Sequence, residues 1–175
     1  MPASGDPAAT SPGADRDVVF ARRFGTGRPL GLLHGLLVSG DMFTPLAERM
    51  SARHHLVIPD LRGHGRSAAL PGPYTVERLA ADVVRLLDDL GVERADVLGY
   101  SHGGAVAQQV ARADPHRVRR LVLVGTYAHN LGSARERVEA RLSPWLLRAI
   151  GPQPMARLLA RAGGGPRLTR EGPGR

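Results

Sequence analysis

The sequence predicts an α/β fold: a mostly parallel sheet with helices on both faces. Three observations carry this. Strand-sized apolar runs recur at Leu30–Leu33, His55–Ile58, Asp96–Gly99 and Val118–Val124. Between them lie stretches with apolar residues at helical spacing, and that alternation builds parallel sheets covered on both sides. Glycine-rich turns follow the strands, at Gly35, Gly63 and Gly103. A chain of 175 residues suggests one domain.

Taken in order, residues 1–17 have no apolar periodicity and are dominated by Pro, Ala, Gly, Ser and Thr. They are expected to form a disordered tail. Val18–Phe24 reads as a first strand, closed by Gly25-Thr26-Gly27. Leu30–Leu33 is the next. Phe43, Leu46, Ala47 and Met50 then recur at helical spacing, with Asp41 as the expected N-cap. After the strand His55–Ile58, residues 59–73 read as loop. Thr75 caps a helix whose apolar face is Val76, Leu79, Ala80, Val83, Leu87 and Leu90, stopped by Gly91. Asp96–Gly99 precedes a helix that ends at Asp114-Pro115, and Val118–Val124 is the last clear strand. Residues 18–130 are thus the expected core. Residues 131–162 are expected to begin a helical cap, with a stripe of Val138, Leu142, Trp145, Leu146 and Ile150. Residues 163–175 are an expected second disordered tail.

The junction Gly99-Tyr100-Ser101-His102-Gly103 reads G-x-S-x-G. A serine pinched between a strand and a helix sits on a tight turn, where Gly99 and Gly103 remove side chains that would collide. Its hydroxyl is lifted above the sheet edge, at the positive end of a helix. Upstream stand His34-Gly35 after one strand and Asp60-Leu61-Arg62-Gly63-His64-Gly65-Arg66-Ser67 after another. With these three motifs, in this order and spacing, residues 17–150 resemble the α/β-hydrolase superfamily, in its esterase, lactonase and haloperoxidase-like branch. The resemblance implies Ser101 as nucleophile. It also implies the backbone N–H groups of Leu36 and His102 as oxyanion donors, with His34 and Gly35 supporting the oxyanion loop. Both donor positions make physical sense, since His102 opens a helix whose first N–H groups lack internal partners and Gly35 lets the backbone turn inward. Serine at the nucleophile position argues against the haloalkane dehalogenase and epoxide hydrolase branches.

The same resemblance calls for an acid and then a histidine after the nucleophile, each following a strand. The last histidine is His129, and the later acids Glu136, Glu139 and Glu171 stand at no recognisable strand end. The family's final strands are therefore expected to be absent. His129, after the strand expected beside that of Ser101, is the candidate substitute base; its other reading is a loop histidine. Asp60 reads as an acceptor that orients its loop, with a catalytic acid as the other reading. Arg62 and Arg66 read as structural or solvated.

Composition narrows the classes further. The net charge is +8, yet all 24 basic residues are arginine and none is lysine. The excess is concentrated in residues 131–175, outside the hydrolase-like part, and no nucleic-acid motif occurs, so no nucleic-acid partner is expected. There is no cysteine, which excludes disulfides and thiolate chemistry, and no metal or cofactor is implied. No run approaches the ~18 apolar residues needed to span a bilayer, and no signal peptide is recognisable, so a cytoplasmic location is expected. The expected function is serine-dependent hydrolysis of a small-molecule ester, lactone or related acyl bond, weak or absent in this chain. The alternative is a non-catalytic, truncated or frameshifted fragment, or one half of a split enzyme. The strand at 118–124, with its outer side uncovered, is an expected site of self-association.

Overall fold

The computed structural model describes residues 17–127 and the backbone of residues 8–10. Among them, one sheet contains β1 (Ala8–Thr10), β2 (Ala21–Phe24), β3 (Arg28–Leu33), β4 (His54–Pro59), β5 (Ala95–Tyr100) and β6 (Val118–Val124). The order across the sheet is β1-β2-β4-β3-β5-β6. The neighbours from β4 to β6 run parallel, whereas β2 pairs antiparallel with β4, and β1 with β2.

Alternation along the strands sorts the core into two layers. Leu30 and Leu32 of β3, with Leu56 and Ile58 of β4, pack with Phe43 and Ala47, the latter on helix α1 (Thr44–Met50). Leu33 and Val97 turn the other way, to Leu79 and Val83 of α2 (Val76–Asp89) and Val106 and Val110 of α3 (His102–Ala113). Each of these Leu, Ile, Val and Phe side chains contributes about 1.5–3 kcal/mol by leaving water. Strands apolar on both faces thus reflect a sheet covered on both faces.

Local signals account for the best-defined helix. Thr75 accepts a hydrogen bond from the Arg78 N–H at 3.2 Å, and Gly91, with φ +63°, ends α2. Elsewhere the structure corrects the sequence. Asp41 is not the N-cap of α1. The chain first makes a 3₁₀ turn, Gly40–Phe43, capped by Ser39, whose hydroxyl accepts from the Asp41 N–H at 3.3 Å. The Asp41 carboxylate instead pairs with Arg22 at 2.8 Å.

The first strand of the core begins at Ala21 rather than Val18, because the backbone before it bonds to a loop. The Phe20 N–H donates to the Ser67 hydroxyl at 2.9 Å, and the Phe20 carbonyl accepts from the Asp60 N–H at 2.8 Å. Nor is all of residues 1–17 a free tail. Ala8–Thr10 pairs with β2, since a strand edge recruits main chain through its N–H and C=O groups whatever the side chains. Asp17 pairs with Arg62 at 2.6 Å and also with Arg78. The expected cap, its apolar stripe, the C-terminal tail and His129 lie outside the described residues. No helix among the described residues is long and apolar enough to cross a membrane.

The chain leaves β3 through α1 to reach β4 on one side, then returns through α2 to β5 on the other. Connections that part in this way open a crevice beyond the carboxyl ends of the two strands. The loop after β3 and the turn after β5 meet there.

Candidate active site

Ser101 occupies that turn with φ +52° and ψ −119°. Serine at a helix N-cap ordinarily bonds its hydroxyl to a first-turn N–H. Here it makes no such bond, so the hydroxyl is not consumed by the helix it precedes. The turn is possible only because its neighbours lack side chains. A Cβ on Gly99 would lie 2.4 Å from the Gly103 carbonyl oxygen, and one on Gly103 would lie 2.2 Å from that of Leu33. Gly35 brings the loop after β3 against the turn, where a Cβ would lie 3.2 Å from the Ser101 Cβ.

His34 is fully buried and bonded through both ring nitrogens. Nε2 accepts from the Leu61 N–H at 2.9 Å, which places the proton on Nδ1, 2.8 Å from the Gly35 carbonyl oxygen. Burial above all pushes its pKa down, and the nearby His64 pushes the same way, so the ring is neutral. The Gly35 C=O and the Leu36 N–H share one planar peptide. Fixing the oxygen therefore fixes the direction of the N–H.

Asp60, also buried, accepts from the Gly40 N–H and the Arg66 N–H, each at 2.8 Å. It ties the loop after β3 to the loop after β4. Arg62 is buried as well, donating to both oxygens of Asp82 at 2.6 and 2.9 Å and to the Pro71 carbonyl at 2.9 Å. These contacts leave Arg62 a structural role. Arg66 is half exposed, its guanidinium over the Phe20 ring.

His102 opens α3, and burial lowers its pKa, with a smaller effect from His64. His64 stands edge-on to His34, ring centroids 5.2 Å apart. An open cleft between Leu37–Ser39 and Gly63–Gly65 runs beside these rings. Leu36, Leu37 and Val38 are exposed at its rim, and Leu37 has φ +63°. Among the described residues, no histidine hydrogen-bonds the Ser101 hydroxyl, and no group of three or more His, Asp or Glu is placed to hold a metal.

Sequence reasoning did not single out Thr126, whose hydroxyl donates to the Ser101 carbonyl at 2.6 Å, or Gln108, whose amide donates to the carbonyls of Gly104 and Tyr127 at 3.1 and 2.9 Å. The available signal was positional: Thr126 stands two residues beyond a strand expected beside the one that carries the serine.

Comparison with known proteins agrees with this fold. Residues 28–159 match the alpha/beta hydrolase fold family. A protein of Azorhizobium caulinodans that carries the name carbamate hydrolase RutD is 35% identical over 145 residues, covering 83% of this chain and 54% of its own length. One of Mycobacterium phage D29, named as a non-heme haloperoxidase, is 39% identical over 116 residues, 66% of this chain and 42% of its own. Among solved structures, a thermophilic esterase from Thermogutta terrifontis superposes with a TM-score of 0.74 at 30% identity, covering 82% of this chain and 53% of that one. The chain spans about half the length of these relatives.

Proposed function

Because the chain belongs to the alpha/beta hydrolase family, we propose that it carries the nucleophile and oxyanion half of a serine-dependent acyl hydrolase. Ser101 attacks an ester, lactone or carbamate-like carbonyl. The N–H groups of Leu36 and His102 receive the negative charge that develops on the carbonyl oxygen. Gly35 lets the two donors approach, and His34 holds the first of them. One such donor is typically worth about 2.7–4 kcal/mol in the transition state. The observation that carries this reading is the Ser101 backbone, held at a strained positive φ with its hydroxyl unused by the helix. The substrate is a small molecule, by analogy with relatives named for ester and carbamate hydrolysis.

One observation favours a second reading, a chain with little turnover of its own. Among the described residues no imidazole hydrogen-bonds the Ser101 hydroxyl: His34 spends both ring nitrogens on backbone, while His64 and His102 place Nδ1 against the Arg62 carbonyl at 3.1 Å and the Tyr127 hydroxyl at 3.4 Å.

The two readings meet in one experiment. An alkyl fluorophosphonate is expected to label Ser101, and Ser101→Ala to abolish labelling. Hydrolysis of an activated aryl ester is expected at no more than ~10³–10⁴ over water, the residue left to serine hydrolases without their base. Turnover above ~1 s⁻¹ that depends on Ser101 would reject the second reading. If that turnover also depended on His129, it would assign the base.

A further inference from the structure

We infer that Thr126 is a positioning residue for the oxyanion site, acting through the peptide between Ser101 and His102. The inference rests on the reading of Ser101 as nucleophile. The Ser101 C=O and the His102 N–H belong to one planar peptide and point in opposite directions. The Thr126 hydroxyl donates to that carbonyl at 2.6 Å, and the Gly104 N–H donates to it at 2.9 Å. A carbonyl oxygen accepts two such bonds. With both made, the plane cannot rotate, and the His102 N–H is aimed from behind.

The side chain is seated as well as bonded. A Cβ on Gly104 would fall 2.4 Å from both Cβ and Oγ1 of Thr126 and 2.7 Å from Cγ2. Thr126 therefore fills the notch that Gly104 leaves in α3. Two further contacts hold the segment that delivers it. The Ser101 N–H donates to the Val124 carbonyl at 2.9 Å, and Gln108 bridges the Gly104 and Tyr127 carbonyls. The pairing of Tyr100 with Val124 sets the register, and Gly125, with φ +55°, turns the chain so that residue 126 reaches back to the turn.

His34 does the equivalent on the other side of the site. It donates to the Gly35 carbonyl, whose peptide bears the Leu36 N–H. Both proposed oxyanion donors are thus braced through the carbonyl end of their own peptide, one by an imidazole after β3, the other by a hydroxyl after β6. A residue such as Ser101, held at a sparsely populated φ and ψ, stays there only where its surroundings over-determine it. Thr126 is part of that determination.

The test compares Thr126→Val, which keeps the shape and removes the donor, with Thr126→Ser, which keeps the donor. In the full chain, Thr126→Val is expected to slow fluorophosphonate labelling of Ser101 about tenfold, the scale of one hydrogen bond. It is also expected to speed amide exchange at Ser101 and Gly104, whose N–H groups are bonded at the turn, while leaving β3 and the body of β5 protected. Thr126→Ser is expected to stay within about threefold of wild type, since the hydrogen bond survives. Wild-type labelling and exchange in Thr126→Val would overturn the inference. So would a Thr126→Ser chain as slow as Thr126→Val, or exchange that rises across the whole sheet. If the wild-type chain shows no Ser101-dependent labelling, the nucleophile reading fails on its own. Local exchange at Ser101 and Gly104 then still decides whether Thr126 holds the peptide.

Discussion

His34 has no spare nitrogen, and that makes it a liability in acid. Its folded pKa is lowered, mainly by burial, from an ordinary value of about 6.5. A group with a depressed folded pKa adds stability that is complete above its unfolded pKa. That stability is lost as pH falls below about 6.5 toward the folded value, because the unfolded chain takes up the proton first. His102 has the same sign. The chain is therefore expected to lose stability between about pH 7 and 5, and His34→Asn to flatten that slope. Urea denaturation at several pH values would check it; a slope unchanged in the variant would show that other groups carry it. At neutral pH the same variant is expected to cost about 1–3 kcal/mol, since the Leu61 N–H is left buried without its acceptor. The placing of His34 against backbone was legible only through the family resemblance of the His34-Gly35 loop. Thr126 was not legible, because its importance arises only from the strand register and from a missing Cβ on another element.

The elements differ in how much of themselves they wrote into the sequence. Helix α2 was legible from end to end because its cap, its stripe and its stop are local. The start of α1 was not, because the chain first makes the 3₁₀ turn Gly40–Phe43, capped by Ser39, and α1 itself then begins without a side-chain cap. β1 was invisible for a different reason: its pairing with β2 uses main chain. The turn between β5 and α3 is where an element tolerates least change. Gly103→Ala would press a methyl against the backbone oxygens of Leu33 and His34, at 2.2 and 2.5 Å. Overpacking against backbone is expected to destabilise the fold by about 1–3 kcal/mol. Gly31→Ala in β3 is the control. Its Cβ would meet nothing closer than the Asp96 carbonyl oxygen at 3.8 Å, beside a small cavity lined by Val57, Val83 and Leu86. A cost below about 0.5 kcal/mol is expected there. Equal costs for the two substitutions would show that the turn is less tightly packed than its geometry indicates.

At the scale of the molecule, the described sheet is protected unevenly. At one end, β1 covers β2. At the other, β6 leaves Leu121, Val122, Leu123 and Val124 between 37% and 46% exposed. Arg119 pairs with Asp96 and Arg120 is exposed, both at the start of the strand, while no charge stands among residues 121–124. Uncharged apolar edges pair with other chains. We propose that the 175-residue chain self-associates through β6. Sedimentation at micromolar concentration is expected to show dimers or larger species, and Val122→Lys to shift them toward monomer. A wild-type monomer would show that this edge is covered. The apolar character of the strand was legible in the sequence. Its place beside β5 was legible through the family resemblance, and the pairing of residues 95–100 with 118–124 bears it out.

The brace on Ser101 also sets an order of assembly during synthesis. Everything needed to pair β1, β2, β4 and β3 has been made by residue 59, and β5 and the serine follow some forty residues later. The groups that hold the serine's peptide in place, the Val124 carbonyl and the Thr126 hydroxyl, are made after the serine itself. The serine therefore leaves the ribosome ahead of the parts that set its shape. A chain stopped short of residue 124 would carry the G-x-S-x-G motif without the two groups that hold the Ser101 turn from β6.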